Sequence, residues 1–174
     1  LSTGQVACWL LKPDGTTRSS FYAFNAATPW QIRAVADIDG DGFGDLVWQL
    51  PTGQAVCWLL NSGGTPKSIF YLTSAATPWQ IRAACDIDGD GVPDLVWQHP
   101  TGQVACWLLK PDGTAKSVSY IYSTATPWQI RAAGDIDGDG VPDMVWQLPT
   151  GQVACWLLNP NGTAKSSIGI LAGV

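Results

Sequence analysis

The sequence contains no glutamate, one histidine and one methionine, and only 13% of its residues are charged. A chain with so few candidate acids, bases and nucleophile activators is a poor fit to an enzyme, and we predict no catalytic site. It has no block of lysine or arginine that would follow a phosphate backbone, which argues against nucleic-acid binding. No apolar run approaches the roughly 20 residues of a membrane helix, so we predict no membrane span.

The acidic residues that are present lie almost entirely in three copies of one nine-residue pattern. It reads DIDGDGFGD at 37–45 and DIDGDGVPD at 86–94 and 135–143, and it holds twelve of the 14 acidic residues. At ~5 Å and an effective dielectric constant of ~20, each carboxylate pair repels by about 3 kcal/mol, so a cation is needed to neutralise the loop. The loop aspartates are Asp37, Asp39, Asp41 and Asp45; Asp86, Asp88, Asp90 and Asp94; and Asp135, Asp137, Asp139 and Asp143.

Carboxylate oxygens at alternate positions, with glycine at the sharp turn, suit Ca²⁺. We therefore predict three structural Ca²⁺ ions per chain, one in each loop. Three such ions would bring the formal charge from −5 to +1. The sequence pI of about 4.5 then reflects metal sites rather than a preference for basic partners. The alternative, that these loops are ordinary polar turns, is disfavoured because three copies occur in register.

The interval between the loops is 49 residues, and all ten tryptophans follow the same interval. A period of 40–50 residues with aromatic markers is typical of propeller blades or solenoid repeats. The three tryptophan series are Trp9, Trp58, Trp107 and Trp156; Trp48, Trp97 and Trp146; and Trp30, Trp79 and Trp128.

One repeat unit is predicted to contain four strands. They are WQIRAA from Trp79, DLVWQ from Asp94, VACWLL from Val104 and KSVSYIYS from Lys116. The third strand is apolar on both faces and should be covered on both sides. The fourth is more polar, as expected of an outer edge. No segment has the apolar period of a helix, so we predict an all-β protein, and four-stranded units of this length favour a β-propeller.

We predict a single repeat array over 1–174, with a half blade at 1–24 and full blades at about 30–74, 79–123 and 128–174. This gives 14 strands, or three and a half blades, whereas propellers close into rings of 4–8 blades. An open arc would expose apolar sheet faces, so we expect a homodimer that closes to about seven blades, or a larger ring. The alternative that these residues belong to a longer repeat chain stays open.

The three segments that begin at Trp30, Trp79 and Trp128 carry a family resemblance. They read WQIRAVADIDGDGFGDLVWQ, WQIRAACDIDGDGVPDLVWQ and WQIRAAGDIDGDGVPDMVWQ, and each is followed by TGQ and a CWLL strand. They resemble FG-GAP/VCBS-type repeats, which build the calcium-bearing propellers of integrin α-subunit heads, some fungal lectins and many bacterial exported proteins. The resemblance implies that Ca²⁺ is held by the four loop aspartates and by the main-chain carbonyl at loop position 7, in Phe43, Val92 and Val141. It does not identify a ligand, because fold is not function.

The five cysteines are predicted to be buried free thiols. Cys8, Cys57, Cys106 and Cys155 share one repeat position, and equivalent positions in neighbouring blades are too far apart for a disulfide, which needs Cα atoms within about 7 Å. Cys85 occupies a small-residue position. Because Ca²⁺ is abundant outside cells, we predict an extracellular, secreted protein. The sequence begins without a signal peptide, as expected of a mature or excerpted chain.

Two other repeated residue types leave alternatives open. Arg33, Arg82 and Arg131 precede the aspartate loops and can pair with a loop carboxylate, cap main-chain carbonyls or bind an anion. Most tryptophans are predicted to fill the space between blades. The exception is the series Trp30, Trp79 and Trp128, which follows Thr-Pro at a loop-to-strand junction and is predicted either to stack on sugars or to pack.

The sequence thus favours a calcium-stabilised propeller that acts as a binding module, carbohydrate-binding (lectin-like) or adhesive. The alternative is a structural, self-assembling or designed repeat scaffold with no small ligand. Exposed Thr-Pro-Trp junctions favour the lectin, and buried ones favour the scaffold.

Overall fold

The computed structural model describes residues 5–170. The regular secondary structure in this part of the chain consists of β-strands alone. Fourteen strands form one two-stranded sheet and three four-stranded antiparallel sheets, as the repeat pattern predicts. Residues 5–170 include no helix long and apolar enough to cross a membrane. The strands are β1 Val6–Leu11, β2 Thr17–Phe24, β3 Gln31–Ala36, β4 Asp45–Gln49, β5 Ala55–Leu60, β6 Pro66–Thr73, β7 Gln80–Cys85, β8 Asp94–Gln98, β9 Val104–Leu109, β10 Ala115–Tyr122, β11 Gln129–Gly134, β12 Asp143–Gln147, β13 Val153–Leu158 and β14 Ala164–Ile170.

The four-stranded sheets are propeller-type blades. Strands β3–β6 form blade 1, β7–β10 form blade 2 and β11–β14 form blade 3, while β1 and β2 form a two-stranded half-sheet. In each blade the strands pair in chain order, which is the meander of a propeller blade. The first strands β3, β7 and β11 contact one another in series, so they form the inner edge of an arc.

The hydrophobic core lies between adjacent blades. One buried cluster joins Val47 and Cys57 of blade 1 to Leu95 and Trp97 of blade 2. In each blade the second-strand tryptophan is at most 2% exposed and packs on the third-strand tryptophan, with ring centroids 4.9–5.0 Å apart. The predicted core role is therefore confirmed for Trp48, Trp97 and Trp146.

The third-strand tryptophans do not form one uniform core series. Trp58, Trp107 and Trp156 are half-buried, whereas Trp9 is 68% exposed. The core prediction for Trp9 is wrong in the described chain, because β1 pairs only with β2 and has no second-strand tryptophan beside it.

Adjacent blades also meet at a glycine in the turn after each second strand. Gly53 has a φ of 100°, and a Cβ on it would collide with the carbonyl group of Thr77 in the next junction. The Thr77 N–H donates to the Thr52 carbonyl at 3.0 Å. Gly102 repeats this close approach one blade later. Glycine is required there because any side chain would push the following blade away.

A glutamine side chain ties each blade to the next. In blade 1, Gln49 Nε2 donates to the Trp79 carbonyl at 2.9 Å, and its Oε1 accepts the Ile81 N–H at 3.1 Å. Gln98 repeats both bonds one blade later, at 2.9 and 3.0 Å. Gln49 and Gln98 are both buried. The amide therefore pairs two backbone groups of the next first strand that would otherwise lack partners at the sheet edge.

Candidate metal centres and inter-blade clefts

Each aspartate loop joins the first and second strands of a blade and folds around its first carboxylate. In the second loop, Asp86 Oδ1 accepts the N–H groups of Gly89 and Asp90, at 2.8 and 3.1 Å. Its Oδ2 accepts the Gly91 N–H at 2.8 Å. Glycine permits this turn because Gly89 and Gly91 have φ values of 73° and 85°. The folded loop thus presents its carboxylates to a common centre.

Three carboxylates converge in every loop. In each group the nearest carboxylate oxygens all lie within 4.8 Å of one another. The Oδ1 atoms of Asp39 and Asp88 are buried and have no hydrogen-bond partner. Such orphaned acceptors are costly unless a donor or a cation meets them. The converging groups are Asp37, Asp39 and Asp41; Asp86, Asp88 and Asp90; and Asp135, Asp137 and Asp143.

The aspartate at loop position 9 has a structural task in each blade. Asp94 is fully buried, and its two oxygens accept the N–H groups of Ile87 and Leu109, both at 2.9 Å. Burial raises the pKa of Asp94 to about 6, while the two N–H donors act in the opposite direction. The carboxylate therefore links the loop to the end of the third strand. Asp45 and Asp143 repeat both backbone bonds.

Each oxygen of the position-9 aspartates keeps a second lone pair, so these hydrogen bonds do not prevent it from binding Ca²⁺ as well. The ligand role of these aspartates therefore stays a prediction. The same holds for the main-chain carbonyls at position 7. The N–H groups of the position-7 residues donate to the aspartate two residues earlier, at 2.9–3.0 Å, which fixes the backbone of this part of the loop. The residues concerned are Phe43, Val92 and Val141.

A lysine from the fourth strand of the same blade contacts each loop. Lys116 Nζ lies 2.8 Å from Oδ2 of both Asp88 and Asp90. Lys116 lowers the pKa of Asp90, and the two carboxylates raise the pKa of Lys116. Lys67 and Lys165 occupy the same place in blades 1 and 3. Sequence reasoning missed this series, although the 49-residue step of the three lysines was present as a signal.

The arginine series makes no ion pair with the loops in the part of the chain that the structure describes. Within residues 5–170, every ion pair to a loop carboxylate comes from Lys67, Lys116 or Lys165. The pairing of Arg33, Arg82 or Arg131 with a loop carboxylate, one of the alternatives that the sequence left open, is therefore not observed.

Three clefts, two of them equivalent, lie beside the Thr-Pro-Trp junctions. The cleft at Trp79 has a volume of about 150 Å³ and is lined by Thr77, Trp107, Val118 and Tyr120 among others. All eight positions that line it recur at the 49-residue step in a cleft of about 220 Å³ at Trp30, and five of them recur in a cleft of about 470 Å³ at Trp128. Their junction tryptophans are Trp30, Trp79 and Trp128, and all three are half-buried.

A tyrosine series that sequence reasoning missed borders two of these clefts. Tyr71 and Tyr120 are 64% and 63% exposed, and the Tyr120 ring centroid lies 6.0 Å from that of Trp79. The 49-residue step from Tyr71 to Tyr120 was a readable signal. Each of these clefts thus combines a half-buried tryptophan with an exposed tyrosine.

All five cysteines are free, as predicted, but the predicted burial is wrong for Cys8 and Cys85, because Cys8 lies in a half-sheet that has no first or second strand and Cys85 ends an inner-edge strand. Cys57, Cys106 and Cys155 are buried, while Cys8 and Cys85 are half-buried. Burial raises the pKa of Cys57 and of Cys85 to about 12. A thiol with such a pKa is almost entirely protonated at neutral pH, which favours packing over redox or metal chemistry.

Comparisons with known proteins agree with this architecture. A search of curated proteins found no match. A solved structure, a protein of unknown function from Bacteroides caccae, is similar with a TM-score of 0.53 and 14% sequence identity. The match covers 94% of this chain and 54% of that one, so the chain spans about half the length of that structure, and at this identity the likeness bears on the fold alone.

A family model for FG-GAP-like repeats matches residues 37–97 and 86–146. Such repeats form propeller-type binding and structural modules and are typical of extracellular proteins. The chain therefore belongs to the FG-GAP-like repeat family.

Proposed function

We propose that this chain is a secreted, calcium-stabilised propeller module that binds carbohydrate in its inter-blade clefts. The observation that carries the proposal is the recurrence of one aromatic cleft beside each Thr-Pro-Trp junction. Repeated shallow sites of this kind give useful avidity even when each single contact is weak.

The aspartate loops fit Ca²⁺ in their donor chemistry. They offer only oxygen ligands, and two buried carboxylate oxygens, on Asp39 and Asp88, lack any hydrogen-bond partner. The side chains at loop positions 1, 3, 5 and 9 and the carbonyl at position 7 would hold the ion. The ion would supply charge neutralisation and would rigidify the connection between first and second strands.

Elemental analysis and thermal melting test the calcium proposal. We expect three ions per chain and a substantial loss of Tm in chelator, because a ligand at ~100-fold its Kd adds about 2.7 kcal/mol per site. Asp90→Ala should remove one ion and leave two, whereas Asp112→Ala, in a turn outside the loops, should leave all three. An unchanged melt in chelator, or fewer than two ions, contradicts the proposal.

The clefts suit sugar for a simple physical reason. The C–H face of a sugar ring stacks on an aromatic face, and nearby polar groups hold its hydroxyls. At the central cleft, Trp79 and Tyr120 supply the rings and the Thr77 hydroxyl is a polar neighbour. The half-burial of Trp79 leaves part of its ring accessible.

A glycan screen with the calcium-loaded protein tests the carbohydrate proposal. Tyr120→Ala and Trp79→Ala should each reduce binding to a multivalent glycan surface while all three calcium ions are retained. The matched control is Tyr22→Ala, which changes the same repeat position in the half-sheet, where the tyrosine is 56% exposed. A blank screen favours the scaffold alternative, whereas equal losses in Tyr22→Ala and Tyr120→Ala contradict binding in the clefts.

We also propose that a second copy of the chain covers the half-sheet. Trp9 and Leu11 are 68% and 59% exposed, and adjacent apolar side chains of this size mark an interaction surface. Within the chain, the equivalent strands β5, β9 and β13 are covered by neighbouring strands and blades. A second copy of the chain carries the same surfaces and can cover β1 with them. Light scattering should then show a homodimer or a larger ring. A well-folded 18.5 kDa species at micromolar concentration contradicts this assembly.

A further inference from the structure

The three first-strand arginines each stand at a β-bulge. In blade 2 the register between β7 and β8 shifts between Ile81 and Ala83, so Arg82 is the extra residue of the strand. A bulge redirects the side chain of the extra residue and is common beside binding sites. The same shift places Arg33 and Arg131 at bulges in blades 1 and 3.

The charges of these arginines are not compensated within the described part of the chain. The Nε atoms of Arg33 and Arg82 are buried and have no hydrogen-bond partner. No arginine in residues 5–170 makes an ion pair, since the lysines make all of them. Arg131 Nε donates only to Gln147 Oε1, at 3.2 Å. A buried charged donor without a partner is among the costlier features of a fold, so a missing acceptor is indicated.

The arginines also lie close to one another. Strand β7 contacts both β3 and β11, which places Arg82 between the other two at the inner edge of the arc. Burial lowers the pKa of Arg82, and the charges of Arg33 and Arg131 lower it further. Three like charges on neighbouring strands repel one another, and an anion between them would remove the repulsion.

A cleft of about 400 Å³ reaches the central arginine, Arg82. Arg82 lines it together with Gln80, His99, Trp128 and Gln129. The cleft lies at the beginning of the first strands, whereas the aspartate loops follow their ends. An anion in the cleft would therefore be separated from the acidic loops by the length of a strand.

We infer that Arg33, Arg82 and Arg131 form an oxyanion-binding site at the inner edge of the arc, with Arg82 at its centre. The planar guanidinium group binds carboxylate, sulfate and phosphate groups with two parallel hydrogen bonds. The ligand class is therefore a small molecule or substituent that carries such a group. The site shares no residue with the aspartate loops, so it stands independently of the calcium proposal.

Thermal melting in sulfate tests this site. The calcium-loaded protein, freed of excess calcium, is compared in sodium sulfate and in sodium chloride of equal ionic strength. We expect a saturable rise in Tm with sulfate, of roughly 3–6 °C at tenfold its dissociation constant. Acetate is the second probe. A response to sulfate alone identifies a tetrahedral oxyanion, a response to both probes extends the class to carboxylates, and a response to neither overturns the proposal.

Variants separate the site from a general salt effect. Arg82→Gln should abolish the sulfate response, yet in chloride it should melt at or above the wild-type temperature because a like charge is gone. Arg18→Gln, on strand β2, is the matched control and should keep the full response. If Arg82→Gln does not fold, Arg131→Gln, whose side chain is exposed, should weaken sulfate binding several-fold by calorimetry. A sulfate response that is equal in wild type and in these inner-edge variants overturns the proposal.

Discussion

The half-sheet and blade 2 contain one identical six-residue strand in two different environments. The sequence VACWLL forms both β1 and β9. Leu109 at the end of β9 is 1% exposed, whereas Leu11 at the end of β1 is 59% exposed. Trp107 is half-buried and Trp9 is 68% exposed. Because the sequence is the same, burial here is decided by neighbouring strands and blades rather than by the strand itself.

The elements that make the difference lie in the first two strands of a blade. These strands carry the aspartate loop, the buried tryptophan and the glutamine that ties one blade to the next. The half-sheet has none of them. At the repeat position of the loop-binding lysines it carries Arg18, which makes no ion pair with any residue in 5–170. We infer that the inner half of each blade holds the array together, and that the outer half mainly supplies surface.

The largest expected effect comes from replacing one tryptophan of blade 2 and one of the half-sheet by alanine. Trp97→Ala should lower the free energy of unfolding by about 3–5 kcal/mol, because it empties a fully enclosed site. In the chain dissociated from the proposed second copy, Trp9→Ala should change it by about 0.5 kcal/mol or less, as exposed substitutions do. Chemical denaturation of the calcium-loaded protein measures both. Equal costs in the dissociated chain would contradict the assignment of stability to the inner half of each blade.

The next effect concerns the glutamine that joins blades. Gln98→Ala leaves the Ile130 N–H and the Trp128 carbonyl without partners, at a cost of about 1–3 kcal/mol each when buried, so we expect a loss of about 2–4 kcal/mol. Gln147 holds the same repeat position in blade 3, but it accepts one bond, from Arg131. Gln147→Ala should cost less than about 1 kcal/mol.

The same denaturation series compares the two glutamine variants. A similar loss in both would show that the bonds to the next blade add little stability. It would also weaken the assignment of stability to the inner half of each blade.

A smaller effect is expected at the lysines that contact the loops, and it rests on the calcium proposal. Lys116→Met removes the ammonium group from Asp88 and Asp90. The calcium-free protein should become less stable, because the carboxylates are less neutralised. Calcium should bind this loop more tightly, because a neighbouring positive charge is gone. The stability of the calcium-free protein should thus fall while the calcium affinity of the loop rises. A lysine that only supported the structure would not change the two quantities in opposite directions.

Melting in chelator and calcium titration calorimetry measure these two changes. Arg18→Met is the control, since it alters the same repeat position where no loop is present. Weaker calcium binding by Lys116→Met would contradict competition between the lysine and the ion.

The sequence predicted the fold well because its signals are local and repeated. Four strands per unit follow from alternation and turn residues, and the 49-residue step then sets the strand count. What it could not predict depends on register and neighbours. QIRAA reads as a regular strand, so nothing indicated the bulge at Arg82. Lys116 meets Asp90 across 26 residues, a contact that only strand pairing determines. Trp9 was misassigned because identical strands gave no reason to expect different burial.

The smallest effect is kinetic and compares two cysteines within the identical strand. Cys8 of β1 is half-buried, and Cys106 of β9 is buried. Burial raises the pKa of both thiols, and raising the pH increases the thiolate fraction that reacts. At pH 8, in protein diluted until the proposed second copy has dissociated, we expect an alkylating reagent to modify Cys8 first, because Cys8 is half-buried and its two-stranded sheet opens more easily than a four-stranded blade. Mass spectrometry of the labelled peptides gives both rates. If Cys106 reacts as fast as Cys8, the blades open as readily as the half-sheet. At higher concentration the proposed second copy should slow the modification of Cys8, and a Cys8 rate that does not fall contradicts that second copy.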